Sequence, residues 1–70
     1  MIPLTPRETE IWRLLAEGRS NQQIADALGI TRGTISTHLA TLYRLLGVSG
    51  SGDARVAAAR LWGERNGGEK

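Results

Sequence analysis

The chain has 70 residues, a formal net charge of +2 at pH 7 and no cysteine. This length fits one small domain, and the missing cysteines exclude a disulfide framework and a thiolate metal site. No apolar stretch approaches the roughly 18 to 20 residues that span a bilayer, and no secretion signal opens the chain. We therefore expect a single domain over residues 1–70, located in the cytoplasm.

The first predicted helix covers residues 6–17. Thr5 and Glu8 have the spacing of a capping box, in which each side chain satisfies a backbone amide at the helix start. Aliphatic residues follow at helical spacing, and Trp12 lies beside them, so we expect it to enlarge the core contact. Gly18 ends the pattern.

The second and third predicted helices cover residues 21–28 and 32–46. A second capping box begins at Ser20, and Gly29 can adopt the left-handed conformation that ends a helix. Thr31 can then cap the helix that follows. Two helices joined by so short a turn form a helix-turn-helix, whose second helix has the right width for the DNA major groove.

The third predicted helix is amphipathic. Its apolar stripe consists of Ile35, Leu39, Leu42 and Leu46. The opposite side carries short or polar side chains, namely Ser36, Thr37, Ala40 and Arg44. Residues 27–52 contain no Asp or Glu, which suits a polyanionic partner. Gly33 in the first turn costs about 1 kcal/mol relative to alanine; either it allows close approach to DNA or the helix end tolerates it.

The fourth predicted helix covers residues 53–63, after a flexible connector at residues 48–52. Its apolar stripe is narrow and made of small residues, so it can pack closely on a neighbour. Gly63 is expected to end the helix, with a frayed tail beyond it. Trp62 either completes the core, which we prefer, or anchors a second subunit. The four helices predict an all-α, four-helix bundle with a central helix-turn-helix.

Residues 4–48, which begin LTPRETEIW and end THLATLYRLLGV, resemble the helix-turn-helix domain of the LuxR/GerE type. Many positions agree with the family's usual sequence pattern in order and spacing, without a gap. The resemblance implies a bacterial transcription regulator that binds double-stranded DNA and uses residues 32–46 as the recognition helix. It also implies a homodimer through the last helix on an inverted-repeat operator. We assign that subunit contact to Val56, Ala59 and Trp62.

Contacts to the DNA backbone are assigned to Ser20, Asn21, Arg32, Thr34, His38 and Arg44. Base contacts are assigned to Ser36, Thr37 and Ala40, whose short side chains can lie close to base edges. Four of these residues have a purely structural alternative: capping for Asn21, a local hydrogen bond for Thr34, solvation for Arg32 and packing for His38. Without a second histidine or a cysteine, a zinc site on His38 is not expected.

Three departures from the family pattern remove positive charge. Ser36 and Leu45 stand where relatives often have lysine, and Ser51 lies near a position that is often basic. Each lost cation removes a potential phosphate contact. We therefore expect weaker and less salt-dependent DNA binding than in a typical member, unless dimerisation or tethering compensates.

The sequence also fits two other classes of protein. The missing lysines would also suit a protein-interaction module that docks another regulator or RNA polymerase. A promoter-recognition fragment of a sigma factor shares the helix geometry, although the LTPRE opening and the last helix favour the LuxR/GerE type. No paired carboxylates, activated nucleophile or phosphate-binding loop indicate an enzyme, and no cofactor is expected. The chain is either a small free-standing regulator or the DNA-binding part of a longer one.

Overall fold

The computed structural model describes residues 4–50 and 52–66, and within these residues the chain forms four α-helices and no strand. The helices are α1 (Pro6–Ala16), α2 (Asn21–Leu28), α3 (Arg32–Leu46) and α4 (Ala54–Asn66). The predicted all-α fold with a central helix-turn-helix is therefore confirmed. The expectations for Ser51 and for the tail after Asn66 fall outside the described residues.

The end of α4 differs from the sequence-based expectation. The helix continues through Gly63 to Asn66, so the prediction that this glycine ends it is wrong. Side chains before and after the glycine contact the same ring. The rings of Trp62 and Trp12 lie edge to face with centroids 5.1 Å apart, and the Arg65 guanidinium carbon lies 5.4 Å from the Trp12 ring centroid. Aromatic and cation–π contacts of this kind contribute roughly 0.5–1.5 kcal/mol each, and together they offset the roughly 1 kcal/mol that a helical glycine costs.

The first three helices begin at side-chain caps. Thr5, Ser20 and Thr31 each accept a hydrogen bond, 3.1 Å long, from the backbone N–H three residues later. Glu8 and Gln23 complete capping boxes by accepting from the N–H groups of the first two caps. Each cap contributes about 1 kcal/mol, so the helix starts are determined locally.

The turn between α2 and α3 depends on Gly29, which has a φ of 70°. The Gly29 N–H donates to the Asp26 carbonyl and the Ile30 N–H donates to the Ala25 carbonyl at 3.0 Å, the pattern of a Schellman motif. Ile30 packs against the core, and Thr31 then begins α3. A single glycine thus turns the chain and fixes where the next helix starts.

The core lies between all four helices and consists of the buried residues Ile11, Trp12, Leu14, Leu15, Ile24, Ala25, Ile35, Leu39, Leu42 and Ala58. Trp12 is 1% exposed, as expected for a core residue, and its indole N–H donates to the Ala58 carbonyl at 2.7 Å. This bond ties α1 to α4. Since α3 buries one stripe in this core, its opposite side faces outward.

No described helix combines the length and the apolar character needed to cross a membrane.

Candidate nucleic-acid interface

The outward side of α3 is exposed along the length of the helix. Six exposed residues form it, which we call the exposed face of α3: Arg32, Gly33, Ser36, Thr37, Ala40 and Arg44. With its side chains an α-helix is about 10–12 Å across, and the major groove of B-DNA is about 12 Å wide. The described part of the chain leaves this face uncovered, so the helix can be inserted into such a groove.

Side-chain size varies along this face. Its middle carries Ser36, Thr37 and Ala40, while Arg32 and Arg44 stand near its two ends. Short side chains allow the helix backbone to come close to base edges, whereas long cationic ones can reach phosphates on either side. The face therefore has a centre of short side chains between two cationic ends.

The hydroxyl of Thr37 already has a partner within α3. Its Oγ1 donates to the Gly33 carbonyl at 3.3 Å, an i to i−4 bond inside the helix. Because the hydroxyl proton is used there, the oxygen can offer only its lone pairs to a ligand, and the methyl group is the apolar part. Such a side chain suits an amino group of adenine or cytosine, or the methyl group of thymine.

Acidic side chains lie on other parts of the molecule, and several of them are paired. On α1 and the loop after it, carboxylates of Glu10 and Glu17 form ion pairs with Arg7, Arg13 and Arg19 at distances from 2.8 to 3.9 Å. On α2, Asp26 accepts a hydrogen bond from Gln22 at 2.8 Å. Among the described residues no ion pair engages Arg32 or Arg44. Their charge is available to an external anion.

At the start of α3, two threonines interact with each other. Thr31 Oγ1 accepts from the Thr34 N–H at 3.1 Å, and the two hydroxyl oxygens lie 2.9 Å apart. The local hydrogen bond that was the structural alternative for Thr34 is thus present. Thr34 is exposed, and its role in binding phosphate stays a prediction.

At the start of α2, Ser20 and Asn21 have different partners. Ser20 is the cap, so capping is not what occupies Asn21. Instead, the Asn21 carboxamide oxygen accepts from Arg55 Nη1 at 2.7 Å, and Nη2 of the same guanidinium donates to the Arg19 carbonyl. Arg55 therefore connects α4 to the first residue of α2 and to the loop before it. Contacts of Ser20 and Asn21 with phosphate stay predictions.

Arg55 is the residue near this interface that sequence reasoning missed. It is the second residue of α4, where the positive end of the helix dipole disfavours a cation. A basic residue in that position needs a partner elsewhere, and this was a usable signal. The identity of the partner was not readable, because Asn21 is 34 positions away in the chain.

His38 is half-buried on α3, between the exposed face and the buried stripe. This position is compatible with packing in the protein and with a contact to the DNA backbone, so the assignment of His38 stays a prediction. The described residues contain no group of three or more histidine or acidic side chains that could hold a metal ion.

The three residues assigned to a subunit contact are spread over about 120° of the surface of α4. Val56 is 56% exposed, Ala59 is half-buried, and both lie on the same side of α4. At 3.6 residues per turn, Trp62 is rotated by about 120° from Val56. Its ring packs on Trp12, in agreement with the preferred core assignment. A role for these residues between subunits stays a prediction, and Val56 is the best placed of them.

The chain is similar in sequence to known bacterial regulatory proteins. Residues 2–58 match the model of a family described as "Bacterial regulatory proteins, luxR family" (GerE). The chain is 51% identical over 47 residues to the transcriptional regulatory protein MctR of Rhizobium johnstonii, covering 67% of this chain and 22% of that protein. It is 46% identical over 59 residues to the HTH-type transcriptional regulator MalT of Yersinia enterocolitica, covering 84% of this chain and 6% of that protein. The chain thus spans less than a quarter of the length of either relative. No solved structure matches it.

Proposed function

Since the chain belongs to the luxR family of bacterial regulatory proteins and forms a DNA-binding domain of that kind, we propose that α3 is its recognition helix and enters the major groove. The observation that carries this proposal is the exposed face of α3. It lies within residues 27–52, which contain no acid, and near each end it has an arginine that forms no ion pair with another described residue. Such a surface attracts a polyanion and still brings short side chains to the bases.

Each residue of the interface has a role in this proposal. Ser36, Thr37 and Ala40 face the base edges. The residues that hold the DNA backbone are Ser20, Asn21, Arg32, Thr34, His38 and Arg44. Arginine forks at the ends of α3 give paired contacts to phosphate oxygens, whereas the hydroxyl and amide groups donate single hydrogen bonds.

The proposal extends to the assembly. The domain works as a homodimer through α4 on an inverted-repeat operator, in the cytoplasm of a bacterium, and acts by binding rather than by catalysis. Val56, as the most exposed large apolar side chain of α4, supports a contact there. RNA polymerase is a further candidate partner of a regulator bound beside a promoter.

The first test is selection from a random library of duplex DNA, followed by binding measurements on the selected duplex and on a scrambled one. We expect the chain to enrich a defined sequence and to bind it more tightly than the scrambled duplex by at least about 10³-fold. Folded protein that binds neither duplex at low salt would contradict the proposal and favour a protein-interaction module.

The second test places a negative charge in the centre of the exposed face of α3. Thr37→Asp should abolish binding to the selected duplex while leaving the unfolding temperature nearly unchanged, because Thr37 is exposed. The matched control is Thr5→Asp, which adds the same charge at the cap of α1, where aspartate also caps well. Equal binding by both variants would remove Thr37 from the interface.

A further inference from the structure

The arginine bridge from α4 points to a role in the DNA contact of Asn21. Arg55 donates from Nη1 to the Asn21 carboxamide oxygen at 2.7 Å and from Nη2 to the Arg19 carbonyl. We propose that Arg55 is a positioning residue that fixes the orientation of the Asn21 carboxamide, so that its NH2 group is presented to a DNA phosphate. This inference rests on the proposed function, in which Asn21 contacts the DNA backbone.

The orientation follows from the hydrogen-bonding groups of the two side chains. A carboxamide has an acceptor oxygen on one side and a donor NH2 on the other, whereas a guanidinium has only donors. Turning the Asn21 carboxamide over would place its NH2 against the donors of Arg55 and would lose the 2.7 Å bond. Arg55 therefore selects one of two otherwise similar orientations.

In the selected orientation the Asn21 NH2 group points away from Arg55. No hydrogen-bond acceptor of the described residues engages it, and Ser20 already caps α2, so Asn21 is not needed for that purpose. An amide donor held at this position lies beside the first turn of α2, where the helix dipole favours an anion. A phosphate oxygen is the acceptor that the proposed complex would bring there.

The hydrogen bond from Arg55 Nη2 to the Arg19 carbonyl also constrains the geometry of the bond from Nη1 to Asn21. A guanidinium is planar, and anchoring it at both Asn21 and the Arg19 carbonyl fixes its plane. A lysine ammonium keeps the charge but is a point donor that lacks this fork. The chain thus uses its last helix to orient a side chain on the helix-turn-helix.

The alternative is that Arg55 itself binds a phosphate. The two roles differ in salt dependence, because each phosphate neutralised by a cation adds roughly 0.9 to the log–log slope of affinity against salt. Orientation of a neutral amide contributes affinity with almost no change in slope. The two roles also differ in coupling, because a residue that acts only through Asn21 has no effect once the carboxamide is gone.

The experiment is a double-mutant cycle with the selected duplex, using Asn21→Ala, Arg55→Met and the double variant, with circular dichroism to verify folding. We expect each single variant to weaken binding about tenfold, the double variant to be no weaker than Asn21→Ala alone, and the salt slope to stay constant. Arg55→Lys should also weaken binding although it keeps the charge. It replaces Arg55→Met in the cycle if that variant does not fold.

The outcomes separate the inference from the function on which it rests. Additive losses near a hundredfold, or a slope that falls by about 0.9 in Arg55→Met, would overturn positioning in favour of a direct phosphate contact. Full affinity in the Arg55 variants with weaker binding in Asn21→Ala would also overturn the inference and leave the proposed function intact. If the unmodified chain binds no duplex, the proposed function fails, and the inference fails with it.

Discussion

Single side chains determine whether this domain folds, because its core is small. Six large side chains are essentially inaccessible to solvent, and they come from the first three helices. Leu42 is one of them and is 0% exposed, whereas Leu45, three residues later on the same helix, is 37% exposed. A domain of this size has a free energy of unfolding of roughly 5 kcal/mol, so one buried charge is enough to cancel it.

We therefore expect Leu42→Asp to unfold the domain at 25 °C, since the carboxylate would lose its hydration without gaining a partner. Leu45→Asp is the matched control and should cost about 1 kcal/mol, mainly because an acid is unfavourable in the last turn of a helix. Urea unfolding followed by circular dichroism gives both values. A folded Leu42→Asp variant would mean that the core is assembled differently.

Residue environments on α3 were predictable because a helix that packs on one side exposes the other. The predicted stripe was Ile35, Leu39, Leu42 and Leu46. The structure buries the first three, and Leu46 is partly buried against the core. The bond between Asn21 and Arg55 was not predictable from such spacing. It depends on where the packing of α4 on α1 and α3 places the Arg55 side chain, which is a tertiary property rather than a local one.

At the scale of elements, the sequence predicted the starts of α1, α2 and α3 more accurately than the end of α4. Side-chain caps at Thr5, Ser20 and Thr31 act within a few residues, and α1, α2 and α3 begin directly after them. The end of α4 depends instead on contacts of Trp62 and Arg65 with another helix. Local propensity at Gly63 was the wrong guide because tertiary packing overrides it.

Two glycines of the helix-turn-helix should respond in opposite ways to the same substitution. Gly29→Ala should lower the free energy of unfolding by about 1–2 kcal/mol, because its φ of 70° is unfavourable for a residue with a Cβ atom. Gly33→Ala should raise it by up to about 1 kcal/mol, because Gly33 is helical and a Cβ there meets only Thr31 Oγ1, at 3.9 Å. Urea unfolding of both variants measures the signs, and equal signs would contradict this reasoning.

The same Gly33→Ala variant decides why a glycine occupies the first turn of α3. If binding to the selected duplex weakens while stability rises, the missing Cβ serves close approach to DNA. If affinity is unchanged, the glycine is merely tolerated at the helix end.

At the scale of the whole molecule, the helices have different roles. α1 and α4 close the core through the bond from Trp12 to the Ala58 carbonyl. The ion pairs seen between described residues lie on α1 and the loop after it. α3 presents the acid-free surface. The side of α4 that carries Val56 is left for a second subunit in the proposed homodimer.

Val56→Glu tests that assembly. In a two-fold symmetric contact both subunits use the same patch, so the variant would bring a carboxylate into the apolar contact from each subunit. We expect affinity for a duplex with two inverted half-sites to fall at least about tenfold, while affinity for a single half-site is unchanged. Titration of both duplexes provides the comparison. Equal affinity of Val56→Glu and the unmodified chain for the two-site duplex would exclude a contact through this side of α4.

The pairing of the two indole rings has a consequence for spectroscopy. The chain contains two tryptophans, and both stand at the junction of α1 with α4, while α3 has a tyrosine and no tryptophan. The fluorescence of these two rings therefore reports mainly on the packing of α1 against α4. It gives a readout of unfolding that needs no added label.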